Sequence, residues 1–372
     1  MGVLREMRYI LQINTGSFTR TADLSILRSR LTRCLDALDV EEAIYGWSPD
    51  RKVNEEVVRI LADRGIEKYL WLPVFSEIHG PEAERFVGVD GAREQALGDI
   101  CEGDSFDFVC QSSEKNLARA IAVYNDLTRD LPVEGAFLDR IRFASAAGGA
   151  AQLYGCWCPR CRRDYAEAGV DVQAILNRPG ARSADDFTVA GVQDGVLRYT
   201  DSNLDALMRA RRARITGAVQ KLCDHFHGLG RKVGLDAFAP CVADFVGQDL
   251  AALGRMADFI KPMVYLRTSA PAGVPYELEA LGSAVQESLR RVLGADPREM
   301  APTVAQLKAL LDGGARVSPG VDANRIERFC DADLPYVLEF ADRLEEAGFD
   351  SMTLSWDVTR ISDEVIDALA RR

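Results

Sequence analysis

The sequence predicts an α/β fold, and within that class a closed (β/α)8 TIM barrel. Three observations lead there. Apolar strand-like runs alternate with amphipathic helical segments almost throughout, the pattern of repeated βα units in a parallel sheet. There are eight such runs in 372 residues, a size that a barrel with insertions occupies as one domain, here residues 1–372. No glycine-rich dinucleotide or phosphate loop follows the first run, which disfavours an open nucleotide-binding sheet.

Taken in order, strands are expected at Tyr9 to Asn14, Glu42 to Trp47, Lys68 to Phe75 and Gly135 to Phe143. The second four follow at Lys232 to Phe238, Phe259 to Tyr265, Arg316 to Val321 and Ser351 to Trp356. Helices fill the gaps, among them Asp23 to Leu38, Asn54 to Arg64, Leu334 to Ala347 and Asp363 to Ala370. The helix at Asn203 to Leu229 is the plainest, with Leu204, Leu207, Met208, Ile215, Val219, Leu222 and Phe226 at helical spacing. Two insertions break the rhythm, 78–113 after the third strand and 144–199 after the fourth. Both leave from C-terminal strand ends and so should stand over the barrel mouth; loops this long are usually functional or carry small elements of their own.

The fourth run, Gly135-Ala136-Phe137-Leu138-Asp139-Arg140-Ile141-Arg142-Phe143, is apolar until it ends in a carboxylate flanked by arginines. A buried strand finishing in charge is how such a barrel presents chemistry. Alternation groups Phe137, Asp139 and Ile141 on its inner face, Gly234, Asp236 and Phe238 on the fifth strand, and Lys261, Met263 and Tyr265 on the sixth. The first strand offers Gln12 and Asn14, and the eighth Ser355 and Asp357. Glu77 and His79 follow the third strand, and Asp322 the seventh. Burying such charges costs several kcal/mol apiece unless they are paired, an expense rarely met outside a functional site. A polar plug, with Lys261 simply neutralising Asp139 and Asp236, is the bland alternative. Tyr45, Trp47, Tyr265 and Trp356 fall at or near strand ends, and as a set offer the apolar faces on which a sugar ring stacks.

Cys156, Cys158 and Cys161 form a Cys-x-Cys-x-x-Cys triplet. A tetrahedral zinc site needs a fourth ligand, for which Cys110 is the first choice and Cys101 the reserve. A fully thiolate-ligated zinc has no open position and is structural. Iron–sulfur ligation and unligated thiols are the alternatives. Nine cysteines, an odd number, with no signal-like segment at the N-terminus, point to a reducing cytoplasm.

Composition is that of a soluble protein, 47% hydrophobic and 27% charged. The net charge of −12, from 57 acidic and 45 basic residues, argues against nucleic acid or an anionic membrane as partner. No apolar run approaches the ~20 residues needed to span a bilayer. A small-molecule or oligosaccharide substrate is the expected partner.

At these residues the chain resembles the TIM-barrel glycoside hydrolases. The run G-A-F-L-D-R-I-R-F is similar to the fourth strand of hypothetical glycosidase-like barrels, where an LDxIR[FY] pattern recurs. The cysteines resemble the zinc site of the barrel beta-galactosidases, which pair such a triplet with one upstream cysteine; Cys110 lies 46 residues before Cys156. Pro262-Met263-Val264-Tyr265 and Leu354-Ser355-Trp356 are similar to segments of the chitinase-like barrels. Ile141 stands where the chitinase-like enzymes need a glutamate, and no Asn-Glu pair ends the fourth strand as in the beta-galactosidases. The resemblance implies the barrel, a structural zinc and a carbohydrate-like ligand.

The leading expectation is a glycoside hydrolase or related glycan-processing enzyme. Asp139 is the principal carboxylate, with Asp236 or Glu77 as partner. Gln12, Asn14, Tyr45, Trp47, His79, Arg140, Arg142, Lys261, Tyr265, Trp356 and Asp357 are the candidate substrate-binding residues. Two alternatives stand beside it: a Schiff-base lyase or aldolase using Lys261, since class I aldolases of this fold carry their lysine there, and a non-catalytic carbohydrate-binding barrel.

Overall fold

The structure, a computed structural model, describes residues 7–17, 20–91, 106–178 and 182–372. Eight parallel strands close into a barrel: Arg8–Asn14, Val40–Gly46, Glu67–Pro73, Gly135–Asp139, Lys232–Phe238, Phe259–Met263, Gly320–Asp322 and Ser351–Ser355. Each lies beside its sequence neighbour and the first pairs with the eighth, so the sheet has no edge. Helices such as Leu24–Ala37, Arg51–Ala62, Ser202–Gly228 and Leu334–Glu346 pack around it. Asp23, Asp50 and Asp201 cap three of these helices, each accepting hydrogen bonds from first-turn N–H groups.

Two apolar layers hold the barrel. The large one lies between strands and helices. The small one fills the barrel axis with Ile10, Ile44, Tyr69, Trp71, Phe137 and Phe259, and is topped by Trp47. Phe137 and Phe259 stack with centroids 5.8 Å apart, across the space that Gly234 leaves. A Cβ there would lie 2.4 Å from the Phe259 ring, so only glycine fits.

Some strand ends differ from expectation. The fourth strand stops at Asp139 because Arg140 takes a left-handed φ of 51°. The chain turns there, and Ile141 joins the outer apolar layer rather than the inner face. The sixth strand ends at Met263, which leaves Tyr265 just beyond it, and the seventh is reduced to Gly320–Asp322. The insertion after the fourth strand carries the helices Pro159–Glu167 and Val172–Leu176 and a hairpin of Val189–Gln193 with Val196–Tyr199. Among the described residues no helix is long and apolar enough to cross a membrane.

Candidate active site and metal centre

Register builds the site. Asp139 lies level with Pro73 on the third strand, Asp236 with Lys261, and Met263 with Gly320, so the polar inward residues meet in one layer at the C-terminal end. Above them opens a cleft with about 940 Å³ of space continuous with solvent. Asn14, Trp47, Asp139, Arg140, Arg142, Asp236, Tyr265 and Trp356 of the expected set line it. Asp139 accepts from the Trp71 indole N–H at 2.9 Å and from the backbone N–H of Arg140. Both donors are fixed, one by the third strand and one by the turn that ends the fourth.

Asp236 is buried. The Lys261 ammonium donates to both its oxygens at 3.1 Å and to the Tyr265 hydroxyl at 2.8 Å. Burial pushes the Asp236 carboxyl up to about 7; Lys261 opposes the shift and the charge of Asp139 adds to it. Burial likewise holds the Lys261 amine below its usual value, against the pull of Asp236. The lysine stem runs across Gly320, where a Cβ would meet Lys261 Cε at 2.4 Å. Gln12 is fully buried in the same layer, and its side chain is one of the groups that lower Asp236.

Arg140 and Arg142 are held as flat plates. The Arg140 guanidinium sits 4.1 Å from the Phe106 ring and 4.7 Å from Trp47, and pairs with Glu77. Arg142 lies between Phe108 at 4.7 Å and Phe238 at 4.4 Å. Glu77 thus faces Arg140, accepts the Phe106 N–H at 2.9 Å, and does not line the cleft. His79 is also away from it, with Nε2 2.8 Å from the Val74 carbonyl oxygen. Burial lowers the His79 pKa, favouring the neutral ring. Tyr45 is buried in the outer apolar layer, because alternation turns Ile44 and Gly46 inward and Tyr45 outward. Lys261 is covered by Asp236 and Tyr265 and does not itself line the cleft. Asp357 caps the short turn after the eighth strand and borders a neighbouring concavity. Asp322 is spent on structure: it accepts from the Tyr336 hydroxyl at 2.5 Å, the Arg267 N–H at 2.8 Å and the Thr268 hydroxyl at 2.9 Å.

Alternation placed Phe238 and Met263 on the inner face, and both line the cleft; sequence reasoning missed Trp71 and Phe106, together with Gly16, Thr268 and Phe329 from the loops. Alternation along the third strand could have found Trp71. Nothing in the loop sequences marks Phe106, Gly16, Thr268 or Phe329.

Aromatic faces meet at two places in the cleft. Trp47 and Trp71 are 4.9 Å apart at 48°, and Tyr265 and Trp356 are 5.5 Å apart at 41°. Asp139 and Asp236 line the same cleft.

Cys110, Cys156, Cys158 and Cys161 converge, with all four sulfurs within 4.8 Å of one another. Cys110 Sγ lies 3.7 Å from Cys158 Sγ and 3.6 Å from Cys161 Sγ. Four sulfurs around one ion at ~2.3 Å would stand roughly 3.75 Å apart, so this donor set could hold a metal. Cys101 lies outside the described residues. The centre is joined to the cleft wall: Phe106 and Phe108 precede Cys110 and stack on the two arginines, and Gln111 Nε2 donates to the Arg142 carbonyl at 3.3 Å.

No family model and no curated protein matches this sequence. Among solved structures, the glycoside hydrolase domain of PgaB (BpsB) from Bordetella bronchiseptica is similar with a TM-score of 0.63 at 14% identity, over 98% of both chains. Alpha-L-fucosidase isoenzyme 2 from Paenibacillus thiaminolyticus is similar with a TM-score of 0.53 at 12% identity. That match covers 98% of this chain and 48% of the fucosidase chain, so the chain spans about half the fucosidase's length. A chitinase from Chromobacterium violaceum aligns over 98% of both chains at 12% identity with a TM-score of 0.46. At these identities the likeness to the first two supports the barrel fold and nothing finer.

Proposed function

We propose that this chain is a glycoside hydrolase or a related glycan-processing enzyme, with Asp139 and Asp236 as its working carboxylates. The observation that carries the reading is the unequal setting of two acids in one aromatic-walled cleft. Asp139 presents its oxygens to two fixed N–H donors, the Trp71 indole and the Arg140 backbone. Asp236, pushed up to about 7, is the group able to hold a proton near neutrality. A carboxyl raised by burial beside a carboxylate held by fixed N–H donors is a pairing suited to the acid and base roles of glycoside hydrolysis. Asp139 then acts at the reacting carbon or its water, and Asp236 supplies the proton to the departing oxygen. Lys261 and Tyr265 position Asp236, and the aromatic faces accept the sugar rings. Asp236 fits the partner role better than Glu77, whose carboxylate is engaged by Arg140.

The four-cysteine centre is best read as a structural zinc site. Cys110, Cys156, Cys158 and Cys161 would hold the ion with no position left for substrate. Free thiols and the odd number of cysteines support a cytoplasmic setting.

The test is hydrolysis of a broad aryl-glycoside panel by wild type and Asp139→Asn in parallel, with melting curves of both. Turnover by wild type alone, with equal folding, supports the assignment; an active Asp139→Asn removes it. Saturable sugar binding without turnover would favour a binding barrel. Trapping of a carbonyl substrate on Lys261 by borohydride would favour the lyase.

A further inference from the structure

Among the described residues, eight that are not glycine take a left-handed φ, a conformation that is costly for a residue with a Cβ. Four of them, Trp47, Phe106, Arg140 and Ala272, line the cleft, and a fifth, Glu77, pairs with Arg140. The other three, Asp130, Asp194 and Arg328, are exposed. Such strain persists only where the surroundings hold it, and it gathers at working sites. For Phe106 and Arg140 the holder is Glu77, which accepts the Phe106 N–H and pairs with the Arg140 guanidinium. Ala272, with a φ of 75°, has a different one.

That holder is Glu277. It stands in the first turn of the helix Val274–Leu281, is 2% exposed, and accepts the Ala272 N–H at 2.9 Å. The chain leading to it folds back on itself. Gly273 N–H donates to the Ala270 carbonyl at 2.8 Å and Val274 N–H to the Tyr265 carbonyl at 2.9 Å. A Cβ on Gly273 would lie 2.0 Å from the Thr268 carbonyl oxygen, so the return needs glycine. Asp322 pins the other end of this loop through the Arg267 N–H and the Thr268 hydroxyl. Between the two anchors Thr268, Ala270, Pro271 and Ala272 form a wall of the cleft. Glu277 also feels the end of the fourth strand. Burial pushes its carboxyl up, while the Ala272 N–H, the charge of Arg142 and the Ser145 hydroxyl act against that shift. Arg142 lines the cleft and Glu277 does not, so the buried carboxylate stands behind the wall and serves the residues in front of it.

We propose that Glu277 is a positioning residue for substrate binding, fixing Ala272 and Arg142 where they meet the sugar. This rests on the hydrolase reading. It adds a residue that sets how tightly the substrate is held while Asp139 and Asp236 carry out the chemistry.

The test compares KM and kcat of wild type, Glu277→Gln and Glu277→Ala on the best substrate of the aryl-glycoside panel. Kd for the panel members is taken in an Asp139→Asn background, where they are not consumed, and melting curves establish that each variant is folded. Glu277→Gln keeps an oxygen for the Ala272 N–H and loses the charge that Arg142 faces; Glu277→Ala loses both. KM and Kd should rise about tenfold in Glu277→Ala, the worth of one hydrogen bond, and by less in Glu277→Gln, with kcat within about threefold of wild type in both. A carboxylate with a merely structural role would lower kcat through the folded fraction and leave KM and Kd as they were, and that result overturns the proposal. If Glu277→Ala does not fold, Glu277→Gln decides by the same split. Turnover with KM and Kd unmoved removes the positioning role and leaves the hydrolase reading intact. Binding weakened by the variants, with no turnover by wild type, keeps the positioning role and removes hydrolysis. Neither binding nor turnover by wild type removes both.

Discussion

Gly320→Ala is a small change that should disturb the centre of the site without replacing any charged group. The alanine methyl would lie 2.4 Å from Lys261 Cε, 3.0 Å from Cγ and 3.3 Å from Cδ. The lysine cannot swing aside freely, because its ammonium is tied to both Asp236 oxygens and to Tyr265 in a fully buried position. Gly320 has no left-handed φ, so alanine suits the backbone and gains roughly 0.4–1 kcal/mol through the unfolded chain. Overpacking in a tight interior costs about 1–3 kcal/mol, and weakening a buried ion pair adds to it. We expect a net loss of about 1–3 kcal/mol, which for a chain of this length lowers Tm by roughly 1–4 °C. The assay is thermal unfolding together with the pH dependence of turnover on the best substrate of the glycoside panel. Gly320→Ala should melt earlier and shift the alkaline limb, since Asp236 loses its fixed partner. A variant as stable as wild type with the same pH profile would refute the claim that Gly320 pins Lys261.

Further outcomes follow from the same geometry. Trp71→Phe removes the 2.9 Å bond to Asp139 but keeps an aromatic ring. A hydrogen bond to a charged group is worth about 1.5–3 kcal/mol, so kcat/KM should fall roughly 10- to 100-fold, and Tm should fall by roughly 2–4 °C. Cys158→Ala should drop bound zinc, measured by elemental analysis, well below one equivalent, and should raise KM by loosening the Phe106 and Phe108 rings against Arg140 and Arg142. Asp236 has a raised folded pKa, so its contribution to stability is fully present below the usual aspartate range and is lost as pH rises through about 7. The stability of wild type minus that of Asp236→Asn should therefore decline between about pH 4 and 7, by an amount on the order of 4 kcal/mol. A rising difference in denaturant melts would contradict the sign.

Much of the barrel was legible because its strands are buried on both faces and read as apolar runs between helices. Period-two alternation brought Asp139, Asp236 and Lys261 into one layer, since register in a closed barrel leaves little freedom at the rim. The triplet spacing found three of the four clustered cysteines, and Cys110 was reachable because so few upstream cysteines compete. Alternation also explains the misplacement of Tyr45, which cannot share a face with its neighbour Ile44 on the barrel axis. What the sequence hid lies past the strand ends. The left-handed turn at Arg140, the engagement of Glu77 by that arginine, and the loop walls contributed by Phe106 and Phe329 depend on chain reversals that carry no periodic signal. Gly320 was invisible for another reason: its role is the space it leaves for a side chain 59 positions earlier, at Lys261.

The division of labour between the two carboxylates is tested most directly by the pH dependence of kcat/KM on the best glycoside, for wild type and Asp236→Asn. The account predicts that wild-type activity falls as pH rises through about 7, where Asp236 gives up its proton, and that Asp236→Asn loses most activity at every pH. A wild-type profile flat from about pH 5 to 9, or an Asp236→Asn enzyme that keeps the wild-type rate and limb, would contradict it.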